Sequence, residues 1–367
     1  MDKKLYFDAN ATARIRPEVI SLVVEVMGEV GNASSPHSFG REARKRIETA
    51  RRQVAATLNV DAQQVIFNSG ATEGNTTVFK GFEGKRILAS AIEHPSIMDC
   101  GVALETIPVT SDGVVDLDAF KKMLSSGPSP ALVSVMTANN ETGVIQPVAE
   151  IAKLAKDAGA MVHSDAVQGY GRFAFTRESL GVDFLTLSAH KIGGPQGVGA
   201  MVIAPGVTPY KLLQGGGQER RQRGGTENVA GIAGFGLAAE MACSSFEKFQ
   251  SLGALRDRIE VHFQTSPRVT VYGANVPRTA NTSFMTIKGV PNDTLLMAFD
   301  LEGVAVSAGS ACSSGSTRLS NVLGAMGVVS DPLLASLRIS LGINTTEKEV
   351  EELCAIWDKL RARLLKE

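Results

Sequence analysis

Short apolar runs alternate with stretches of helical spacing through most of the chain, and nearly every run stops at a small or polar cluster. Val65-Ile66-Phe67 stops at Asn-Ser-Gly. The run at 131–136 stops at Thr-Ala-Asn-Asn, the run at 160–163 at Ser-Asp, and the run at 184–187 at Ser-Ala-His-Lys. Gly199–Ile203 is a further short run. Such runs, bounded by turn formers, predict strands. Between the second and third, residues 147–158 place Val148, Ile151, Ala152 and Ala155 at helical spacing, and Pro147 stands where helices open. This alternation predicts an α/β fold with a mostly parallel sheet covered by helices. In such sheets ligands gather outside the carboxyl ends of the strands, where the polar clusters lie here.

The pattern changes later. Residues 224–250 read as helical, with small residues crowding 231–242. After Leu255 a new αβ pattern begins, with a strand-like run at 269–272. Val350, Leu353, Trp357, Leu360 and Leu364 stripe a terminal helix over 347–365. These features predict a large domain over 16–255 and a smaller α+β domain built from 1–15 and 256–367.

Composition narrows the classes. The 367 residues suit one large domain plus a smaller one. Charged residues are 20% and the net charge is -1, which does not point to a nucleic-acid or membrane-surface partner. No apolar run approaches the roughly 20 residues of a membrane span, and no apolar signal core follows Met1. A soluble, cytoplasmic protein is expected. The four cysteines, at 100, 243, 312 and 354, have neither zinc nor C-x-x-C spacing, so no metal site or disulfide is expected.

Three strand ends carry the candidate chemistry. Lys191 follows a buried-type strand and precedes Gly193-Gly194-Pro195. Such an amine forms Schiff bases with carbonyl cofactors, although a strand-end lysine also snorkels to water. Asp165 ends another strand. It suits the pyridine nitrogen of pyridoxal phosphate, whose protonation makes the ring an electron sink, or it caps the next segment. Ser69-Gly70-Ala71-Thr72 joins a strand to a helix and offers backbone N–H groups and the Thr72 hydroxyl to an anion, or is plain helix capping. Together the three point to pyridoxal phosphate. His94, in Glu93-His94-Pro95, is either structural or an aromatic stacked on the cofactor. Arg338 alternates with apolar residues: either an inward guanidinium suited to a substrate carboxylate, or an edge charge facing water. Cys312 stands in the small-residue run 307–316, unlike Cys243, Cys354 and, less firmly, Cys100, which suit buried structural thiols. The basic, Gly-rich stretch 214–228 is plausible as an anion-contacting loop.

On these residues the sequence resembles the NifS/IscS-type cysteine desulfurases among the fold-type-I pyridoxal-phosphate enzymes. The likeness covers nearly the whole chain in order, through Asp8-Ala9-Asn10-Ala11-Thr12, His37-Ser38-Phe39-Gly40-Arg41, Ser69 to Glu73, Glu93-His94-Pro95, Asn139 to Gly143, His163 to Gln168, Ser188 to Lys191, Arg223 to Asn228, Ser310-Ala311-Cys312 and Arg338 to Gly342. The resemblance implies that Lys191 bonds the cofactor and acts as acid and base, that Asp165 pairs with the ring nitrogen, that Gln168 meets the phenolic oxygen and that His94 stacks on the ring. It implies that Ala71, Thr72, Ser188 and His190 hold the phosphate, and that Thr226 reaches the phosphate of a second copy in a homodimer. Asn10, Asn140 and Arg338 would hold the substrate. Cys312 would take the sulfur of L-cysteine as a persulfide, leaving alanine, and pass it to a scaffold or carrier protein for iron–sulfur cluster assembly or tRNA thiolation. The alternatives are selenocysteine lyase, an aminotransferase on the same fold, or an inert platform for sulfur carriers. Ala13 and Ile343-Asn344 depart from the usual pattern.

Overall fold

The computed structural model describes residues 4–308 and 320–366. A seven-stranded sheet lies at its centre. In spatial order the strands are Val65–Asn68, Gly199–Ile203, Phe184–Ser188, Met161–Asp165, Leu132–Ser134, Ile87–Ser90 and Glu105–Ile107. Gly199–Ile203 runs against both its neighbours, and the other four pairings are parallel. The inner strands are buried on both faces, which is why they read as continuous apolar runs. The strands Ile87–Ser90 and Glu105–Ile107 are additions to the sequence reading. The second is three residues long with Glu105 and Thr106 exposed, too short and too polar to show a period.

The helix expected over 147–158 runs Val148–Asp157. The helix expected over 224–250 is shorter and broken. It starts at Val229, where Asn228 accepts from Gly231 N, and stops at Cys243; Phe246–Gln250 and Leu252–Phe263 follow separately. Residues 224 and 225 are loop, and Gly225 has φ 102°. The small residues have a packing reason. A Cβ on Gly236 would come within 2.5 Å of the Ala50 backbone, so the helix Val229–Cys243 lies tight on the helix Ser38–Thr57.

A second core belongs to the end of the chain. Leu334–Ser340, Thr282–Lys288 and Val269–Val271 form an antiparallel sheet, and Leu5–Tyr6 pairs with Val304–Ala305. The terminal helix Glu347–Leu364 opens on a Thr346/Glu349 capping box, and its Trp357 stacks on Phe263 at 4.6 Å. One core cluster ends in sequence at Ala242. The other takes Leu5, Phe7 and residues from Phe249 to Leu365. The helix Leu252–Phe263 runs straight through residue 255, so the chain has no joint at that position. Among the described residues no single helix is long and apolar enough to cross a membrane.

The N-terminal segment links the two cores. Ala9 N donates to Ser340 O at 3.1 Å, then Ala13 N to His190 O at 2.9 Å and Arg16 N to Gly193 O at 3.0 Å. It therefore backs the turn that carries Lys191.

Candidate active site

The helix Ala71–Lys80 starts immediately beyond the edge strand Val65–Asn68. Gly70 supplies its N-cap at φ 154° and ψ 175°, a conformation reserved for glycine, and no side chain caps the helix. The N–H groups of Ala71 and Thr72 therefore point free at the helix start, where the dipole favours an anion. Thr72 is exposed, and neither its hydroxyl nor that of Ser188 bonds another described residue. The expected anion turn is thus open at Ala71 and Thr72, while Ser69 N donates to Glu73 Oε2 at 2.9 Å and Gly70 N to Asn68 Oδ1 at 3.1 Å.

The same helix reaches the next strand end. Asn75, fully buried, donates to Asp165 Oδ2 at 2.8 Å and to Ser96 Oγ at 2.9 Å. Ser96 Oγ lies 2.9 Å from His94 Nδ1, which also accepts from Ser96 N at 3.1 Å. Asp165 Oδ1 accepts from Val167 N at 2.9 Å. These partners leave Nδ1 of His94 an acceptor, so its proton resides on Nε2. Burial, offset in part by Asp165, keeps the ring neutral. His94 has the structural role, capping the helix Pro95–Met98, and it also stands near Asp165 and Lys191.

Lys191 lies in a short turn after Phe184–Ser188. Its Nζ donates to the carbonyls of Asn10 at 2.7 Å and Ala11 at 2.8 Å. Burial, then Arg338 and Arg172, lower its pKa to about 8, against Asp8 and Asp165. Gln168 Nε2 donates to the same Asn10 carbonyl at 3.1 Å, and its Oε1 is buried without a partner. His190 Nδ1 lies 3.2 Å from Thr12 Oγ1, and burial beside Lys191 lowers its pKa to about 4.

Arg338 is inward: it is 2% exposed although its strand is a sheet edge. Nη2 donates to Asp8 Oδ1 at 2.7 Å and Nη1 to Asn140 O at 3.1 Å, while Nε has no partner among the described residues. The Asn140 amide bonds no described residue. Asn10 differs from that expectation. Its Nδ2 donates to Asn140 O and Thr282 Oγ1, and its Oδ1 accepts from Arg172 Nη1 and Asn281 Nδ2. Its side chain has no bonding capacity left for a substrate.

Cys312 lies outside the described residues. The ends of the segment that holds it do not. Ser307 exchanges backbone hydrogen bonds with Arg338, and Ser320 Oγ donates to Glu141, next to Asn140. Cys100, Cys243 and Cys354 are half-buried, less enclosed than the sequence reading expected; burial raises the thiol pKa of Cys243, and that of Cys354 to about 11.

The stretch 214–228 is pinned twice, once to the helix Ser38–Thr57 and once to the helix that follows the anion turn. Arg51 holds the buried Glu219 carboxylate with both Nη atoms at 2.7 and 2.8 Å, and Arg223 forks onto Glu73 at 2.9 and 3.1 Å. Thr226, beyond these anchors, is exposed and bonds no described residue.

Comparison with known proteins agrees with this geometry. A family model for class-V aminotransferases matches residues 5–353. A cysteine desulfurase IscS of Dictyoglomus turgidum is 38% identical over 99% of this chain and 96% of its own. The chain belongs to the NifS/IscS-type cysteine desulfurases. A NifS-like protein from Rickettsia africae superposes with a TM-score of 0.91 at 37% identity, covering 98% of this chain and 99% of that one. SspA, solved in complex with cysteine, superposes at 0.79 and 26% identity over 94% of this chain and all of that one.

Cysteine desulfurases of this family depend on pyridoxal phosphate, and the residues present fit it. The uncapped helix start, the unpartnered Gln168 Oε1 and the depressed Lys191 amine are each an unmet demand that such a group answers. Ala71, Thr72, Ser188 and His190 would hold its phosphate. Asp165 would take the ring nitrogen, Gln168 the phenolic oxygen and His94 the ring face. Asn75, which orients Asp165, stands just beyond the Ser69–Glu73 motif. An asparagine inside a helix is its one local signal, being a poor helix former. Asp8, partner of Arg338, was legible only as part of the Asp8–Thr12 motif, and Arg172, partner of Asn10, carried no local signal.

Proposed function

We propose that the chain takes sulfur from L-cysteine, leaves alanine, and carries the sulfur on Cys312 to an acceptor protein. The observation that carries this reading is the Lys191 amine, held on two carbonyls beside Asp165 with its proton affinity lowered toward neutrality. A general base needs such a value.

When bound, pyridoxal phosphate supplies an electron sink for the substrate's Cα. The chain's residues do the rest. Arg338, with Nε unpartnered, and the free Asn140 amide offer donors to the substrate carboxylate. Lys191 Nζ removes the Cα proton and returns it. The neutral His94, fixed by Ser96, presents its ring face and holds a proton at Nε2. The Cys312 thiolate then attacks the substrate sulfur. An S–S bond forms as the Cβ–S bond breaks, and the electron pair left on Cβ takes a proton, giving alanine. The ends of the segment holding Cys312 are tied to Arg338 and beside Asn140, which favours delivery of that thiol to the carboxylate-binding end.

A homodimer is part of this proposal. Thr226 stands exposed on a loop anchored by two ion pairs, in the posture of a group that serves a second copy. Ile20, Val24 and Met27 leave an apolar stripe on the helix Pro17–Met27 uncovered. A cytoplasmic, reducing setting, which keeps a thiol free, and delivery to iron–sulfur assembly or tRNA thiolation complete the reading.

The test is direct. Purified protein that absorbs in the visible and yields equal alanine and sulfide from L-cysteine with dithiothreitol supports it. Cys312→Ala should keep the colour and lose sulfide release. Sulfide release surviving in that variant would remove Cys312 as the acceptor, and selenocysteine assayed alongside would show which chalcogen is preferred.

A further inference from the structure

A cavity of about 420 Å³ lies between the two cores. Its walls come from the N-terminal segment 13–18, the turn 191–193, residues 241–249 and residues 341–345. Of the groups that fit the cofactor only Lys191 borders it; Asp165, His94, Gln168 and Thr72 do not line it. Its volume lies in the range of small-molecule sites.

One wall is cationic and under-compensated. Arg172 is 3% exposed, bonds only the amide oxygens of Asn10 and Asn281 through Nη1, and faces no carboxylate. Arg16 has a buried Nε with no partner. Lys248 stands at the same cavity, donating to Asn344 Oδ1 at 2.7 Å. The acids there are Glu18, whose charge acts on Arg16 and leaves Arg172 alone uncompensated, and Glu349, which is committed to the cap of Thr346. Met241, Phe249 and Leu341 supply apolar lining, and the Arg172 guanidinium lies over the Phe249 ring at 5.9 Å. A buried guanidinium without a counter-ion is costly, and its planar fork matches a carboxylate.

We propose that this cavity binds a small organic carboxylate, its anionic end on Arg172 and Arg16 and its apolar body against Met241, Phe249 and Leu341. A free amino acid is disfavoured, because its ammonium group would enter a cluster of cations. The ligand would touch both cores and the back of the Lys191 turn, and so brace the two against each other.

The probe is 3-phenylpropanoate, titrated by calorimetry into the cofactor-loaded enzyme at fixed ionic strength, with the neutral 3-phenylpropanamide as control. The expected result is one site per chain, with the amide roughly tenfold weaker, the worth of one charge-assisted hydrogen bond. Met241→Trp, which fills the cavity, should abolish binding. Arg172→Gln should weaken it by about tenfold. Should that buried variant fail to fold, Arg16→Met at the cavity wall makes the same measurement. No binding, equal binding of acid and amide, unchanged binding in Met241→Trp, or displacement by the substrate would each overturn the proposal. Calorimetry needs no turnover, so these outcomes stand apart from the alanine and sulfide assay.

Discussion

The backbone carbonyl of Asn10 accepts from Lys191 Nζ at 2.7 Å and from Gln168 Nε2 at 3.1 Å. One carbonyl from the N-terminal segment therefore sets the positions of a base and a cofactor ligand that come from the end of one strand and the turn after another. Burial and two guanidinium groups bring the Lys191 pKa from 10.5 to about 8. Modification of the cofactor-free protein by pyridoxal and borohydride should therefore rise with pH to a half-maximum near 8. A midpoint near 10.5 would show that the amine is not desolvated as the fold implies.

Asn10 itself is a structural hub. Substituting alanine strips Arg172 and Asn281 of an acceptor and Asn140 and Thr282 of a donor. Each buried group left unsatisfied costs about 1–3 kcal/mol. Asn10→Ala should lose about 3 kcal/mol or more in urea unfolding. A loss below about 1 kcal/mol would mean the network re-forms through water.

Glu219 is buried at φ 44°, with its carboxylate on Arg51 and on the N–H of Phe67. Removing one partner of such a pair costs about 3–5 kcal/mol. Glu219→Ala should destabilise the protein by that amount and also lower cofactor retention, since the anchor of residues 214–228 is gone. Stability lost with cofactor affinity intact would separate the pair from the anion turn.

Glu93 sits buried beside Asp165 with Oε2 unpartnered, and burial raises its pKa to about 8. The folded state thus holds a proton that the unfolded chain releases near pH 4.5. Stability attributable to this group falls as pH rises from about 4.5 to about 8 and then levels. Glu93→Gln should match the parent at the acid end and exceed it by a few kcal/mol near pH 8. Parallel stability curves for the two proteins would mean that Glu93 ionises normally.

Much of this site was legible from local pattern. Lys191, Asp165 and the turn at Ser69 each follow an apolar run, and a strand's end is visible in a window of five residues. The central strands kept their expected places because burial on both faces demands continuous apolar residues. The joint expected near 255 did not appear, because a helix boundary there depends on which core each side chain enters. The small residues crowding 231–242 gave no hint of their reason, which at Gly236 is close packing against Ala50.

What only the tertiary structure decided is how those ends are held. Asn75 and Asp165 are 90 residues apart, Asn10 and Arg172 are 162, and Asp8 and Arg338 are 330. The sequence by itself determined the sheet, the cofactor class and the residues at the strand ends, since these rest on local periodicity and short motifs. The assignment of Arg338 to the interior, the saturation of Asn10 and the uncompensated charge of Arg172 depend on partners that the chain brings together only by folding. Local pattern carries no trace of them.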